Sequence, residues 1–316
     1  MLLAAIVLQT VGIGLFSGAL LVAERSHASF FALYLPRQPL LVIAIAAAIL
    51  ASLLRHRALV ASQLAVTLLV FFPVMGGRVA FPPAPSSAER VVRIATYNVH
   101  FGKDGRPLLL DEIAAMPADI IVLQATYDSI GDRLRERLPD RTTRQDGELV
   151  LVTRFPILQV DVPDQLPGDV RPMFVKYLLE TPAGPLRVLN IHPFSPRNAL
   201  VDRDEAWAVD VARRAAQVAA VAAAAREPGP PLLIAGDTNL PHLSAILRHE
   251  LGDLNDAFHQ AGVGLGYTFP AKRPWMRIDR VFAGPGVTFT GTRVGPKGAS
   301  DHRPLFVELE ISAAAR

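Results

Sequence analysis

Not one cysteine occurs among the 316 residues. Disulfides, thiolate metal sites and a cysteine nucleophile are thereby excluded, while either redox compartment stays open. Acidic side chains are nearly missing from the first ninety residues, which hold two, Glu24 and Glu89, against six arginines. A basic excess is missing from the rest: residues 91–316 carry 26 basic and 27 acidic side chains, a net charge of −1. A domain that grips nucleic acid by its phosphates ordinarily shows such an excess, so a nucleic-acid partner is disfavoured. No repeat recurs along the chain, and the alanine-rich "AAQVAAVAAAA" reads as helix rather than as low-complexity sequence. No protein partner is evident.

What the first ninety residues do hold is three apolar runs, 2–23, 39–54 and 58–75. The first is 22 residues long and free of charge, and the other two are 16 and 18 residues long. A bilayer core takes roughly 20 apolar residues of helix. The runs predict about three transmembrane helices over 1–75, with a lipid bilayer as partner; a pair of buried soluble helices is the other reading. No Lys or Arg precedes the first run, which speaks against a cleaved signal peptide. Arg55 and Arg57 crowd the short connection between the second and third runs. Placed inside by the positive-inside rule, they put the soluble part outside the cytoplasmic membrane, against the opposing pull of Arg25, Arg37 and Arg78. The stretch 76–90, "GGRVAFPPAPSSAER", reads as a Pro/Ser/Gly-rich linker to a domain over 91–316.

Within 91–316 one pattern recurs: an apolar run ends in a polar residue and a turn follows. "VVRIATYN" ends at Asn98, "LRVLNIH" at His192, "PLLIAGDTN" at Asp237 and Asn239. "RIDRVF" carries Asp279, and "GASDHRP" sets Asp301 and His302 before the run "LFVELEI". Helical stretches lie between, notably 107–116, 129–138 and 200–226, so the class is α/β. Singly, each polar residue has an ordinary reading as a turn former or a satisfied core group. A carboxylate at position 279, within an apolar run, must find a partner, and His302 is the candidate. Together, carboxylates and amide oxygens are hard ligands suited to Mg2+ or Mn2+, and the histidines can move protons or bind phosphate oxygens. That inventory fits hydrolysis of a phosphate ester by a metal-activated water.

In order along the chain, "TYNVH", "DIIVLQ", "TRFPI", "NIH", "GDTN", "RIDRVF" and "SDH" resemble the motifs of the endonuclease/exonuclease/phosphatase superfamily over roughly residues 91–311. The membrane-tethered arrangement further resembles bacterial members of that superfamily. The resemblance implies a four-layer sandwich, two mixed β-sheets face to face with helices outside, and a site at one end. It implies that Asn98, Asp301 and Asp237 hold the metal. His192 would bind phosphate oxygens, and Asp237 and Asn239 would position the attacking water and the phosphate. His302 would contact the scissile phosphate as base or electrostatic stabiliser, oriented by Asp279, with either Asp237 or His302 as the general base. The superfamily's "LQE" motif reads "LQA" here, so the glutamate that is its principal metal ligand is Ala125. Asp128 lies three residues on and Asp119 at the far end of the same run, so neither obviously replaces it.

The function expected from these observations is a membrane-anchored, metal-dependent phosphoesterase acting on a lipid-linked or membrane-proximal phosphate, impaired by Ala125. A nuclease, or a silent phosphate-binding module, are the alternatives. The loop "GYTFPAKRPWM" offers Tyr267, Phe269, Trp275 and Met276 beside Lys272 and Arg273. It suits a lipid headgroup, a stacked base, or plain packing.

Overall fold

β-Branched, apolar runs alternating with helix formers produce two six-stranded mixed sheets with helices on their outer faces. The computed structural model of the chain describes residues 2–21, 26–86, 91–103, 105–166, 169, 171–201 and 206–312. Residues 22–23 of the first apolar run, Arg25, residues 87–90 of the expected linker, 202–205 of the expected helix 200–226, and 313–316 lie outside the described residues.

The N-terminal part holds α1 (Leu2–Leu21), α2 (His27–Leu33), α3 (Gln38–Leu53) and α4 (Arg57–Leu69), the last continued by a π-turn over Val70–Val74. Then follow β1 (Arg78–Val79), β2 (Val91–Asn98), α5 (Arg106–Ala114), β3 (Ile120–Gln124), α6 (Ile130–Arg137), β4 (Thr142–Asp146), β5 (Leu149–Thr153) and β6 (Ile157–Asp161). After β7 (Phe174–Thr181) and β8 (Gly184–Ile191) come α7 (Arg197–Val201), α8 (Ala206–Ala225), β9 (Leu232–Asp237), α9 (Ala245–Leu251) and β10 (Asn255–Asp256). The chain closes with α10 (Ala257–Ala261), β11 (Val263–Gly264), β12 (Asp279–Ala283), β13 (Val287–Val294) and β14 (Leu305–Ile311).

One sheet runs β10-β12-β9-β8-β7-β6 and the other β13-β14-β2-β3-β5-β4. Their inner faces share a core in which Ile94, Ile120, Val122 and Leu151 meet Val175, Val188, Leu233 and Val281. Outside one sheet, α5 and α6 pack Leu109, Ile113, Ile130 and Leu134 on Tyr97, Ile121 and Leu123. Outside the other, α8 and α9 pack Val218, Val221, Ile246 and Leu247 on Ile191 and Ile234. The strands read as unbroken apolar runs because both their faces are covered. The four-layer sandwich is therefore observed.

The described parts of all three apolar runs are helical. Among the described residues one helix, Arg57–Val74, is long and apolar enough to cross a membrane, or two if His27–Leu33 and Gln38–Leu53, bent by 74°, count as one. The bend has a cause in the sequence: Pro36 and Pro39 each lack the N–H that would continue a helix through the elbow. Arg37 stays buried there, its Nη2 donating to the Leu33 carbonyl at the end of α2 (2.7 Å).

Residues 76–80 are held rather than free. Arg78 and Val79 pair antiparallel with Gly264 and Val263, and the Ala80 N–H donates to the Gly262 carbonyl. The carbonyls that close the α4 segment are also satisfied by the sandwich. His242 Nε2 donates to Pro73 O (3.0 Å), the Tyr267 hydroxyl to Met75 O (2.9 Å) and Arg277 Nη1 to Gly76 O (3.3 Å). A helix C-terminus is a negative pole with orphan carbonyls, which is what a basic, donor-rich surface suits. Apolar contacts complete the join: Leu20, Phe30, Leu33 and Val74 form one cluster with Ala199, Met276 and Ile278.

Candidate active site

Strand direction gathers the polar residues. β2 and β3 run parallel, as do β8 and β9, so Asn98, Gln124, His192 and Asp237 emerge at one end of the sandwich. β12 is antiparallel to β9 and starts where β9 stops, with Asp279 opposite Asp237. β14 is antiparallel to β2, so the turn before it delivers Asp301 and His302 to the same end.

The centre is Asp237, buried, whose Oδ2 accepts from Asn98 Nδ2 (2.9 Å) across the gap between the sheets. His192 Nε2 and His302 Nε2 each lie 3.7 Å from that oxygen. Asp237 Oδ1 accepts the Asn239 N–H (2.8 Å), and Asn239 Nδ2 donates to the Pro193 carbonyl (2.9 Å). Asn239 has φ 53°, a left-handed conformation that asparagine tolerates better than most residues. His302 Nδ1 donates to Asp279 Oδ2 (2.9 Å), which confirms the partner expected for that carboxylate. Asn98, His192, Asp237, Asn239, Asp279, Asp301 and His302 are thus brought together.

Electrostatics separate the two imidazoles. Burial opposes a charge on His302, but Asp279, Asp237 and Asp301 around it outweigh that cost and hold its pKa up at about 9. His192 has a different partner, Glu148, whose Oε1 accepts from His192 Nδ1 and also pairs with Arg171. Nδ1–H on Glu148 leaves His192 Nε2 facing Asp237 and Asn98 Nδ2 (3.5 Å).

Glu148, Arg171, His100 and Asn190 were not singled out from the sequence. The signal for Glu148 is an acid opening the apolar run "ELVLV". Asn190, inside "LRVLNIH", bridges the sheets: its Oδ1 accepts from Gln124 Nε2 (2.7 Å) and its Nδ2 donates to the Leu123 and Val150 carbonyls. The polar residue delivered by the "DIIVLQ" strand is therefore structural. His100 follows Asn98 by two positions; its N–H donates to Asn98 Oδ1 (3.0 Å) and its Nδ1 lies 3.6 Å from Asp301 Oδ1.

Ala125 is buried at φ 49°, and its carbonyl accepts the Phe101 N–H (2.6 Å). Beside it opens a cleft of about 510 Å³ lined by Phe101, Thr126, Tyr127, Asp128, Ser129 and Glu148. No nearby acid takes over the position. Glu148 is committed to His192 and Arg171, Asp119 accepts from the Arg93 N–H at the opposite end of β3, and Asp128 is exposed. The donor set nonetheless fits a hard cation. Asp237 and Asp279 bring carboxylate oxygens within 4.8 Å of each other, and Asp301 Oδ1 is covered yet accepts no hydrogen bond among the described residues.

The aromatic side chains of the loop "GYTFPAKRPWM" are packed. Tyr267, Phe269, Trp275 and Met276 face the N-terminal helices and the site, with the Phe269 ring 4.7 Å from that of His302. Lys272 and Arg273 alone remain exposed.

No curated protein matches the chain. Among solved structures it is similar to an endonuclease/exonuclease/phosphatase from Beutenbergia cavernae, at 20% identity and TM-score 0.56 over 72% of this chain and 73% of that one. It is similar to D. rerio TDP2 complexed with single-strand DNA product (18%, TM-score 0.53, 70% of this chain and 99% of that). It is also similar to the 3' phosphatase NExo from Neisseria bound to a product DNA hairpin (20%, TM-score 0.54, 68% and 98%). At these identities the likeness establishes the fold. The sequence profile of the Endonuclease/Exonuclease/phosphatase family matches residues 95–302, which hold Asn98, His192, Asp237, Asp279 and His302. On that match, and on the fold that carries it, the chain belongs to the endonuclease/exonuclease/phosphatase family.

Proposed function

We propose that the protein is a membrane-anchored, metal-dependent phosphoesterase whose substrate is a lipid-linked or membrane-proximal phosphate. The observation that supports hydrolysis is the convergence of Asn98, His192 and His302 on one oxygen of Asp237. With no metal bound, the charges around His302 favour its protonated form over the neutral base. That form serves to stabilise charge that develops on the phosphoryl oxygens and to protonate a leaving oxygen. Asp237 is left to orient and deprotonate the attacking water, with the Asn239 N–H fixing the carboxylate. Asp279 positions His302, and Glu148 positions His192 toward the phosphate. Mg2+ or Mn2+, held by Asp301, Asn98 and Asp237, would supply neutralisation of the phosphate charge.

The lipid side of the proposal rests on the N-terminal helices. They turn Leu8, Leu15, Val42, Ile49, Leu64 and Leu68 outward, an apolar surface that suits lipid. The sandwich is joined to them within one hydrogen bond of the 237–239 turn. The near-neutral charge of residues 91–316 points the same way. A nucleic-acid substrate is the second reading, favoured by the likeness to TDP2 with its DNA product and to the Neisseria 3' phosphatase on a DNA hairpin. Ala125 stands where the family resemblance puts a glutamate ligand, and it favours weak activity in this chain.

The deciding experiment is phosphate release with Mg2+ from phosphorylated lipids in bilayers and from DNA at matched salt, for this chain and for Ala125→Glu. Faster turnover of lipid phosphate supports the proposal, and faster cutting of DNA reverses the ranking. No release by either protein leaves the silent binding module.

A further inference from the structure

The join between the N-terminal helices and the sandwich contains one contact that packing alone does not require. Tyr34 caps the C-terminus of α2 and is buried, 8% exposed. Its hydroxyl donates to the backbone carbonyl of Asn239 (3.1 Å), 205 residues away, inside the turn that carries Asp237. The same hydroxyl accepts from Arg214 Nη2 (3.0 Å) on α8. Arg214 is 1% exposed, and among the described residues its Nε and Nη1 find no hydrogen-bond partner. Its guanidinium lies 5.4 Å from the Phe30 ring and 6.0 Å from the Tyr34 ring, both belonging to α2 or its cap.

We propose that Tyr34 is a positioning residue for the catalytic turn, and that the α2 segment is thereby part of the active-site scaffold rather than only of an anchor. The physical case has three parts. A left-handed residue at 239 turns its carbonyl away from the strand ladder, and a buried carbonyl needs a donor. Tyr34 is that donor. A hydroxyl that accepts from a guanidinium becomes a stronger donor itself, so the Arg214 contact tightens the bond to Asn239. Finally, the Asn239 N–H holds Asp237 Oδ1, so slack in the turn is slack in the carboxylate that orients the water. The inference rests on the reading of Asp237 as catalytic; its test is chosen to stand apart from that reading.

The full chain in detergent micelles is compared with Tyr34→Phe and with Tyr267→Phe. Tyr267→Phe is matched chemistry at the same join: it removes a buried phenol that donates to Met75 O and leaves the 237–240 turn untouched. The first readout is amide hydrogen exchange by mass spectrometry over residues 236–241. In Tyr34→Phe this segment exchanges about fivefold faster or more, the loss of one hydrogen bond, while α5 and β5 keep their rates. In Tyr267→Phe it does not change. The second readout is turnover of bis(4-nitrophenyl) phosphate with Mn2+ in the Ala125→Glu background. There Tyr34→Phe lowers kcat about tenfold at unchanged KM, since geometry and not binding is lost. An unchanged turn in Tyr34→Phe overturns the inference. So does faster exchange spread evenly over the domain, or an equal effect of Tyr267→Phe. If no protein turns over, the hydrolysis reading fails, and the exchange contrast alone decides the positioning role.

Discussion

His302 is the residue whose state is most sharply set by its neighbours. Burial works against its charge, and the Asp279, Asp237 and Asp301 carboxylates overcome burial to put its pKa at about 9. The folded value lies above the ordinary histidine value of about 6.5. The stability that this charge contributes is therefore complete below about pH 6.5 and is lost as pH rises through about 9, on the order of 3 kcal/mol. Replacement Asp279→Asn removes the nearest negative partner and lets burial prevail. In that variant the His302 ring resonance should titrate well below the value in the parent chain, and chemical denaturation should lose its fall in stability between pH 7 and 9. A ring titration that stays near 9 would show that Asp279 is not the partner that matters. Ala125 is the second decisive residue. If position 125 faces the metal as the family resemblance implies, Ala125→Glu adds a third carboxylate to Asp301 and Asp237, and like charges repel until a cation neutralises them. Calorimetric titration should find tighter Mg2+ binding in Ala125→Glu, and melting with chelator should find that protein no more stable than the parent. Turnover should rise about 100-fold or more, the loss or gain of several kcal/mol of charge stabilisation. Equal turnover would mean that another group supplies the ligand.

At the scale of elements, the site depends on two strand pairs that release polar residues at one edge. β9 reaches Asp237 through Gly236, and the close approach there explains the glycine. A Cβ at 236 would stand 2.0 Å from the Ile191 carbonyl oxygen, inside the β8–β9 pairing. Gly236→Ala must push β9 off β8 next to both His192 and Asp237. The expected cost is about 3 kcal/mol or more, with a melting temperature lower by more than about 5 °C. An unchanged melt would show that the strands yield without strain. The elements were largely legible beforehand: β2, β3, β8, β9 and β14 follow the apolar runs because a strand covered on both faces must be apolar throughout. Of the helix expected over 200–226, the described residues are helical over Arg197–Val201 and Ala206–Ala225, and 202–205 lie outside them. The elbow between α2 and α3 was written in Pro36 and Pro39, but apolarity dominated the reading of that region.

At the scale of the whole molecule, the helices and the sandwich are one packed body, joined through β1–β11, the α4 carbonyls and the cluster around Phe30 and Met276. The sequence reading makes 76–90 a Pro/Ser/Gly-rich linker that tethers the domain near the lipid surface. The contacts of residues 73–80 hold the sandwich against the apolar helices. This bears on topology. With Arg55 and Arg57 inside, a reporter fused after Arg316 is expected to work only if it folds outside the cytoplasmic membrane. Activity of a strictly cytoplasmic reporter at that fusion would show that Arg25, Arg37 and Arg78 outweigh the short connection.

The order of polar residues at the ends of apolar runs was enough to point to the family, the α/β class and seven residues that the fold brings together. Strand termini are local, and chemistry at the mouth of a sheet restricts which residue may stand there. The pairing of those residues was not local. That Asp237 gathers Asn98 and two histidines follows from two sheets packing face to face, and that His192 answers to Glu148 follows from β5 lying against β8 across the sandwich. Tyr34 lay beyond any reading of sequence spacing, because a tyrosine at the end of an apolar helix is unremarkable until the fold sets its hydroxyl against a carbonyl 205 residues on. Hydrogen bonds and charge act over a few ångströms of space, whatever the distance along the chain, and only the packed structure decides which groups come that close.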